Sequence, residues 1–174
     1  MLTDNEKLKE KFEEYINKYK DDVYRVAYYY SKNEDDAQDL LQDSLARAYR
    51  FFHTFRDNSN FKSWIFKIMR NLYISKNKKN IKVLENAKNY EITEDKTTSL
   101  EDEFLNNITR NELNSAIMLM PQEFKEVIIL SDIEGLMYEE ISKIIRIPVG
   151  TVRSRLHRAR IFLKEKLKKK YHED

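Results

Sequence analysis

Glycine and proline are almost absent from this chain, and their scarcity restricts the possible folds more than any other feature of the sequence. The 174 residues include two glycines and two prolines. Because glycine is the usual residue in tight hairpin turns, a sheet-rich fold with many hairpins is disfavoured. A glycine-rich phosphate-binding loop is excluded because the chain has too few glycines to form one. We therefore predict an all-α protein made of long helices.

The segment from 136 to 160 has the pattern of a helix-turn-helix. A first apolar-periodic stretch ends at Ile147-Pro148, because proline disfavours helix in the residue before it but is tolerated at the start of the next helix. One face of the second helix has the spacing of a buried stripe, formed by Val152, Leu156, Ala159 and Leu163. The opposite face is polar and basic, with Gly150, Thr151, Arg153, Ser154, His157 and Arg158. This pattern predicts a DNA-reading unit, and the alternative is a helical hairpin with a solvated basic face.

Basic residues are concentrated in two separate segments. Residues 61–82 carry seven basic and no acidic residues, and residues 146–174 carry ten basic and three acidic residues. Between them, residues 83–105 carry two basic and seven acidic residues. Two basic segments divided by an acidic stretch indicate two polyanion contacts on one chain. The polar composition of 83–107 predicts a flexible linker between a domain at 1–82 and a domain at 108–174.

Two helices of the first domain present polar faces whose use the pattern alone leaves open. The first of these helices follows a cap at Asn33 and has an inner apolar stripe that ends at Phe51. Its outer face carries Gln38, Asp39, Gln42 and Asp43. That acidic face either suits a protein partner or is simply solvated. The other helix follows a cap at Asn60 or Ser59 and is predicted to bury Trp64. Its opposite face either binds unpaired bases and phosphates or packs its aromatics on the first helices, and it carries Ser63, Phe66, Lys67, Arg70, Tyr73 and Asn77.

The sequence lacks the groups that catalysis, metal binding and membrane insertion require. It has no cysteine, and its three histidines, His53, His157 and His172, are scattered without metal-ligand spacing. No nucleophile–base pair or cofactor loop is present, and no apolar run is long enough to span a membrane. We therefore expect a protein that is not an enzyme, has no cofactor, does not insert into membranes and is cytoplasmic.

Four segments in order carry a family resemblance. They are DAQDLLQD at 36–43, FKSWI at 61–65 with RNL at 70–72, PQ at 121–122 through EGL at 134–136, and YEEI at 138–141 with IPVGTVRSRL at 147–156. With these motifs the chain resembles the extracytoplasmic-function group of bacterial sigma factors over residues 12 to 167. Arg146 stands where that family usually has a turn glycine, so the turn needs either a left-handed arginine or another geometry.

The resemblance implies a promoter-specificity subunit with three binding surfaces. The first domain would bind core RNA polymerase through Gln38, Asp39, Gln42 and Asp43. It would capture the melted downstream promoter element through Asn58, Ser59, Asn60, Lys62, Lys67 and Arg70. The second domain would read the upstream element through Thr151, Arg153, Ser154, Arg155, His157, Arg158 and Arg160. Within that last set, the helix pattern favours phosphate contacts for Arg155 and Arg160.

The partners implied by the resemblance are core RNA polymerase, promoter DNA and an anti-sigma factor, which in this family is often membrane-bound. The alternative function is a stand-alone helix-turn-helix regulator whose front half is a sensor or dimeriser. Such regulators usually bind palindromes as dimers, whereas a second basic patch at 62–82 suggests one monomer that touches two DNA segments.

Overall fold

The computed structural model describes residues 3–78 and 108–172, with side chains described as far as Lys169. In these two ranges the chain forms helices and no strand. The helices are α1 (Asp4–Ser31), α2 (Glu34–Phe51), α3 (Phe61–Lys76), α4 (Arg110–Met118), α5 (Gln122–Ile128), α6 (Tyr138–Ile145) and α7 (Val149–His172). The prediction of an all-α protein with two helical regions is confirmed, while the predicted linker at 83–107 lies outside the described residues.

The helix starts follow from local capping. Thr3 and Glu6 form a capping box at the start of α1, and Asn33 accepts a hydrogen bond from the Asp36 N–H at the start of α2. Asn60 caps α3 by accepting from the N–H groups of Lys62 and Ser63. The side-chain oxygens satisfy helix N–H groups that have no partner within the helix. The cap predicted at Asn33 is confirmed, and of the two candidates for α3, Ser59 and Asn60, the cap is Asn60.

An aromatic cluster holds the first three helices together. Phe12 of α1 packs on Phe52, which lies in a short 3-10 turn (Phe52–Thr54) after α2, with ring centroids 5.1 Å apart. Trp64 lies 5.3 Å from Phe55 and 5.8 Å from Phe61, so it belongs to this core, as predicted. The prediction was wrong for Phe51, which is 41% exposed. Helix α2 ends there, and the 3-10 turn places Phe52 in the core instead.

The second domain is built around α7. Val152, Leu156 and Ala159 are fully buried and face α5 and α6. Helix α5 continues into a π-helical turn (Ile129–Ile133), which ends where Gly135 takes a left-handed conformation with φ 69°. The buried stripe predicted for α7 is confirmed for these three residues, whereas Leu163 is half-buried. The short helices before α7 form its support.

The two domains are packed against each other. Helix α3 contacts α6, and side chains of α1 and α3 reach the segment formed by α5 and its π-helical turn. Tyr29 of α1 donates a hydrogen bond to Asn114 of α4 over 2.8 Å. Sequence reasoning left the relative placement of the domains open, and this packing decides which candidate residues face solvent.

Candidate nucleic-acid interfaces

The turn before α7 is set by three consecutive residues. Arg146 ends α6 in the left-handed conformation, with φ 60° and ψ 46°. The Ser142 hydroxyl then donates to the Ile147 carbonyl over 2.5 Å, and the Pro148 carbonyl accepts from the N–H groups of Thr151 and Val152. Of the two geometries that the sequence allowed for this turn, the structure has the left-handed arginine.

The outward face of α7 presents hydrogen-bond donors to solvent. Arg153, Ser154, His157 and Arg158 are all exposed, on the side opposite the buried stripe. Arg153 and Arg158 have no ion-pair or hydrogen-bond partner among the residues that the structure describes. Thr151 is half-buried, and its carbonyl accepts from the Ser154 hydroxyl over 3.2 Å. Free donors near the start of an exposed helix are what reading base edges in a major groove requires.

The two flanking arginines of α7 are engaged within their own domain. Arg160 makes a two-point contact with Asp132, through Nε at 2.9 Å and Nη2 at 2.7 Å. Arg155 lies 3.6 Å from a carboxylate oxygen of Glu123. A carboxylate partner fixes the direction of each guanidinium group, and Arg160 remains half exposed. The unpaired arginines are therefore those that the sequence assigned to base contacts, Arg153 and Arg158. The paired arginines are those that it assigned to phosphate contacts, Arg155 and Arg160.

The acidic face predicted on α2 lies on the surface. Gln38, Asp39, Gln42 and Asp43 are exposed, whereas Ala37, Leu40, Ser44 and Ala48 on the other side are buried. Asp43 forms an ion pair with Lys76 of α3. Asp39 has no such partner within residues 3–78 and 108–172. The face is therefore accessible to a protein partner.

The loop before α3 is exposed and locally fixed. Asn58, Ser59 and Asn60 are all exposed. The Ser59 hydroxyl donates to the Arg56 carbonyl over 2.7 Å, and the Asn60 side-chain oxygen is used in capping α3. An ion pair between Asp57 and Lys11 ties the loop to α1. These bonds leave the Asn58 amide and the Asn60 NH₂ group available for an external ligand.

The cations of α3 face in different directions. Lys67 is exposed, as predicted. Arg70 was also predicted to point outward, and this is wrong: its side chain is 15% exposed and its Nε lies 2.5 Å from Glu126 Oε1. Lys62 is 18% exposed; its Nζ lies 2.8 Å from Glu134 Oε2 and donates to the Glu134 carbonyl over 3.0 Å. The second domain covers both side chains.

The aromatics of that α3 face pack inward. Phe66 is fully buried, and the Tyr73 ring lies 4.8 Å from the Tyr30 ring of α1. The sequence left open whether these aromatics bind unpaired bases or pack on the first helices, and in the structure they pack inward. Phe66 is therefore unavailable for base stacking in this arrangement.

Glu126 is the centre of a buried polar cluster that the sequence analysis missed. Its Oε1 accepts from Arg70 and, over 2.7 Å, from the Tyr30 hydroxyl. Burial would lower the pKa of Arg70, but the charge and hydrogen bond of Glu126 outweigh it, so that pKa is raised. Burial, together with the same carboxylate, raises the pKa of Tyr30 well above its usual range. The carboxylate thus stabilises the charged form of the arginine.

Glu134 forms a second cluster of the same kind. Its Oε1 lies 2.6 Å from Nη1 of Arg25, and its other oxygen faces Lys62. Asp22 completes the cluster at 3.0 Å from Arg25. The signal that could have revealed the Glu126 cluster is the presence of charged residues inside the strongly apolar stretch FKEVIIL at 124–130, where a solvated face has no room.

A helix-turn-helix with unpaired donors on its exposed helix, joined to a second helical domain, defines a helix-turn-helix transcription protein. The family model of Sigma-70 region 2 matches residues 15–83, and that of Sigma-70 region 4 matches residues 110–163. The ECF RNA polymerase sigma factor SigW of Bacillus subtilis is 30% identical over 166 residues, covering 90% of this chain and 89% of that protein. The chain therefore belongs to the extracytoplasmic-function (ECF) group of RNA polymerase sigma factors.

Other comparisons agree with this assignment. The ECF sigma factor SigE of Mycolicibacterium smegmatis is 31% identical and covers 91% of this chain, which spans 62% of that relative. The sigma factor RpoE of Bartonella quintana, solved with the anti-sigma factor NepR, has a TM-score of 0.70 at 27% identity and covers 91% of this chain and 97% of its own. The structure of CnrH with the cytosolic domain of CnrY has a TM-score of 0.59 at 21% identity, covers 90% of this chain and 87% of its own, and supports the fold alone.

None of the described helices has both the length and the apolar character needed to cross a bilayer.

Proposed function

We propose that this chain directs core RNA polymerase to specific promoters and acts at two promoter elements at once. The observation that carries the proposal is the outward face of α7, where unpaired Arg153 and Arg158 stand above a fully buried apolar stripe. Family membership supplies the context, because ECF relatives are named as RNA polymerase sigma factors. In this role the chain supplies recognition, and the chemistry of RNA synthesis belongs to the polymerase.

The second domain reads the upstream promoter element. Arg153, Ser154, His157 and Arg158 contact base edges, since they are exposed near the start of the helix that would enter the major groove. Thr151, Arg155 and Arg160 hold the sugar-phosphate backbone. The pairing of Arg160 with Asp132 is compatible with this division, because Nε and Nη2 donate to Asp132 while the side chain stays half exposed, which keeps part of the guanidinium group accessible to a phosphate.

The first domain binds the polymerase and the melted strand. Gln38, Asp39, Gln42 and Asp43 form the polymerase contact; they are polar, exposed and backed by a buried apolar stripe that keeps them in place. The exposed asparagines of the loop before α3 suit hydrogen bonding to the edges of unpaired bases. Lys67 adds an accessible cation for the phosphates. Lys62 and Arg70 are also assigned to this DNA contact, although the second domain covers both in this arrangement.

The proposed partners are core RNA polymerase, promoter DNA and an anti-sigma factor. The Bartonella quintana relative is described in complex with the anti-sigma factor NepR. We extend that kind of regulation to this chain on the basis of the shared family and the similar fold.

Run-off transcription with purified core polymerase and a genomic promoter library tests the proposal. The chain should produce transcripts from a defined set of promoters, and Arg158→Ala should lose that selectivity. Lys20→Ala, which removes an equal charge from an exposed site on α1, serves as the control and should behave as wild type. A stand-alone regulator would instead bind DNA without co-purifying with core polymerase, and the absence of promoter-specific transcripts would refute the sigma-factor role.

A further inference from the structure

Two buried carboxylates of the second domain are neutralised by side chains of the first. Glu126 lies within α5 and Glu134 directly follows its π-helical turn, and both are almost fully buried. Glu126 contacts Arg70 and Tyr30, while Glu134 contacts Arg25 and Lys62. All the ion-pair and side-chain hydrogen-bond partners that the described residues supply to these two carboxylates come from the other domain.

Burial makes these contacts decisive for the packing of the domains. An ionised carboxylate that is removed from water carries a large desolvation cost unless cations and hydrogen bonds compensate for it. Here the compensation exists only while the two domains touch, because Arg25 and Lys62 belong to α1 and α3. When the domains separate, water can solvate all of these groups. The packed arrangement therefore depends on the geometry of a few ion pairs.

The same contacts cover part of the proposed DNA surface. Lys62 and Arg70 are 18% and 15% exposed. Arg70 donates to a carboxylate oxygen of Glu126, while Lys62 Nζ lies 2.8 Å from Glu134 Oε2 and donates to the Glu134 backbone carbonyl. A DNA phosphate offers the same chemistry, namely negatively charged oxygens that accept hydrogen bonds from lysine and arginine. Glu126 and Glu134 thus occupy the positions that phosphates would take, and the two kinds of anion cannot bind these cations together.

We propose that Glu126 and Glu134 form an intramolecular carboxylate clasp that holds the free chain closed and withholds Lys62 and Arg70 from single-stranded DNA. The inference rests on the proposed function in one respect, the placing of Lys62 and Arg70 on the downstream DNA surface. Binding of the melted strand and opening of the carboxylate clasp are then linked, so each favours the other.

A distance measurement tests the closure without reference to DNA. The chain has no cysteine, so Asn17→Cys on α1 and Leu119→Cys beside α4, both exposed and uncharged, give a uniquely labelled pair. Spin-label distances should show one narrow distribution in the parent chain. In the double variant Glu126→Gln/Glu134→Gln, which keeps side-chain size and removes both charges, the distribution should broaden and move to longer distances.

The control removes the same charge elsewhere. Glu139→Gln/Glu165→Gln alters two exposed glutamates of the second domain, neither of which has an ion pair or side-chain hydrogen bond to the first domain in the part of the chain that is described. This control should keep the narrow distribution. Arg25→Gln provides an independent route to the same result, because it removes one cation from Glu134 without touching the proposed DNA surface. Far-UV circular dichroism checks that each variant remains helical.

DNA binding provides the second readout. The affinity for a fluorescent random-sequence single-stranded oligonucleotide should rise about tenfold in Glu126→Gln/Glu134→Gln if about one parent chain in ten is open. The charge-matched control should gain far less, and a saturating concentration of the oligonucleotide should lengthen the distances in the parent chain.

The two readouts separate the possible failures. An unchanged distance distribution in both Glu126→Gln/Glu134→Gln and Arg25→Gln would overturn the carboxylate clasp, and the proposed function would stand on its transcription test. Opening without any gain in oligonucleotide affinity would overturn the claim that the carboxylate clasp withholds a DNA surface. Loss of promoter-specific transcription in the parent chain would refute the proposed function itself.

Discussion

Replacing Arg146 with glycine should stabilise the protein, because the backbone at this turn is left-handed. The φ of 60° costs a residue with a Cβ atom about 1–2 kcal/mol. Glycine avoids that cost but loses more freedom on folding, which offsets about 0.5–1 kcal/mol. The arginine side chain is exposed, and the hydrogen bond that it makes to Asn71 is long at 3.4 Å and contributes little. The net expectation is a gain of about 0.5–1 kcal/mol in the free energy of unfolding.

Arg146→Ala separates the backbone from the side chain. Alanine removes the contact with Asn71 but keeps the Cβ atom, so the left-handed strain remains. The alanine variant should therefore be equal to the parent chain or slightly less stable. The difference between the glycine and alanine variants then measures the backbone conformation alone.

Urea denaturation followed by far-UV circular dichroism measures the difference. The midpoint should rise in the order alanine, arginine, glycine, with the dependence on denaturant unchanged. In a thermal scan, a gain of this size corresponds to an increase of about 1–4 °C in the midpoint for a chain of this length. A glycine variant no more stable than the alanine variant would refute the argument, since it would mean that the strain of the left-handed turn does not exceed the conformational entropy that glycine loses on folding.

Three further perturbations have defined outcomes. Arg153→Ala should lose preference at one or two base positions, worth about 1–3 kcal/mol of discrimination. Arg160→Ala should instead weaken binding to all DNA sequences alike and reduce the slope of log affinity against log salt concentration by about one. Affinities for single-base variants of the promoter element, measured at several salt concentrations, distinguish the two outcomes. Asp39→Ala should weaken binding to core polymerase in a pull-down titration while Glu10→Ala should not, and equal affinities would contradict the polymerase contact. Burial and the nearby charge of Lys32 lower the pKa of Lys125 to about 8. Above that pH the folded chain binds fewer protons than the unfolded chain, so the free energy of unfolding should rise between pH 8 and 10. Lys125→Met should be more stable than the parent chain at pH 7 and should lack that rise; equal midpoints at pH 7 would count against the buried charge.

Local features of the fold could be predicted because they depend on neighbours in the sequence. The cap at Asn33 and the buried stripe through Val152 and Leu156 follow from side-chain chemistry within one or two turns of helix. Hydrophobic periodicity also placed the exposed acidic face of α2 correctly. Each of these needs only the helix itself and the rule that its apolar side is buried.

Features that depend on distant partners could not be predicted in the same way. The pattern of α3 shows that Arg70 lies on a polar face, but not that Glu126, 56 positions later, meets it there. A buried ion pair and a solvated cation give the same periodicity, because both appear as polar positions in the sequence. The π-helical turn at Ile129–Ile133 was also missed, since its residues have the composition of an ordinary buried helix.

That π-helical turn determines the angular alignment of two side chains. Glu126 and Glu134 are eight positions apart, and in a regular helix at about 100° per residue they would point about 80° away from each other. A π turn accommodates one additional residue, which reduces the effective separation to seven positions and the angle to about 20°. Both carboxylates then point to the same side, toward α1 and α3. The additional residue in the π-helical turn therefore rotates Glu134 onto the same side as Glu126. This rotation determines whether both carboxylates of the second domain can contact the first domain.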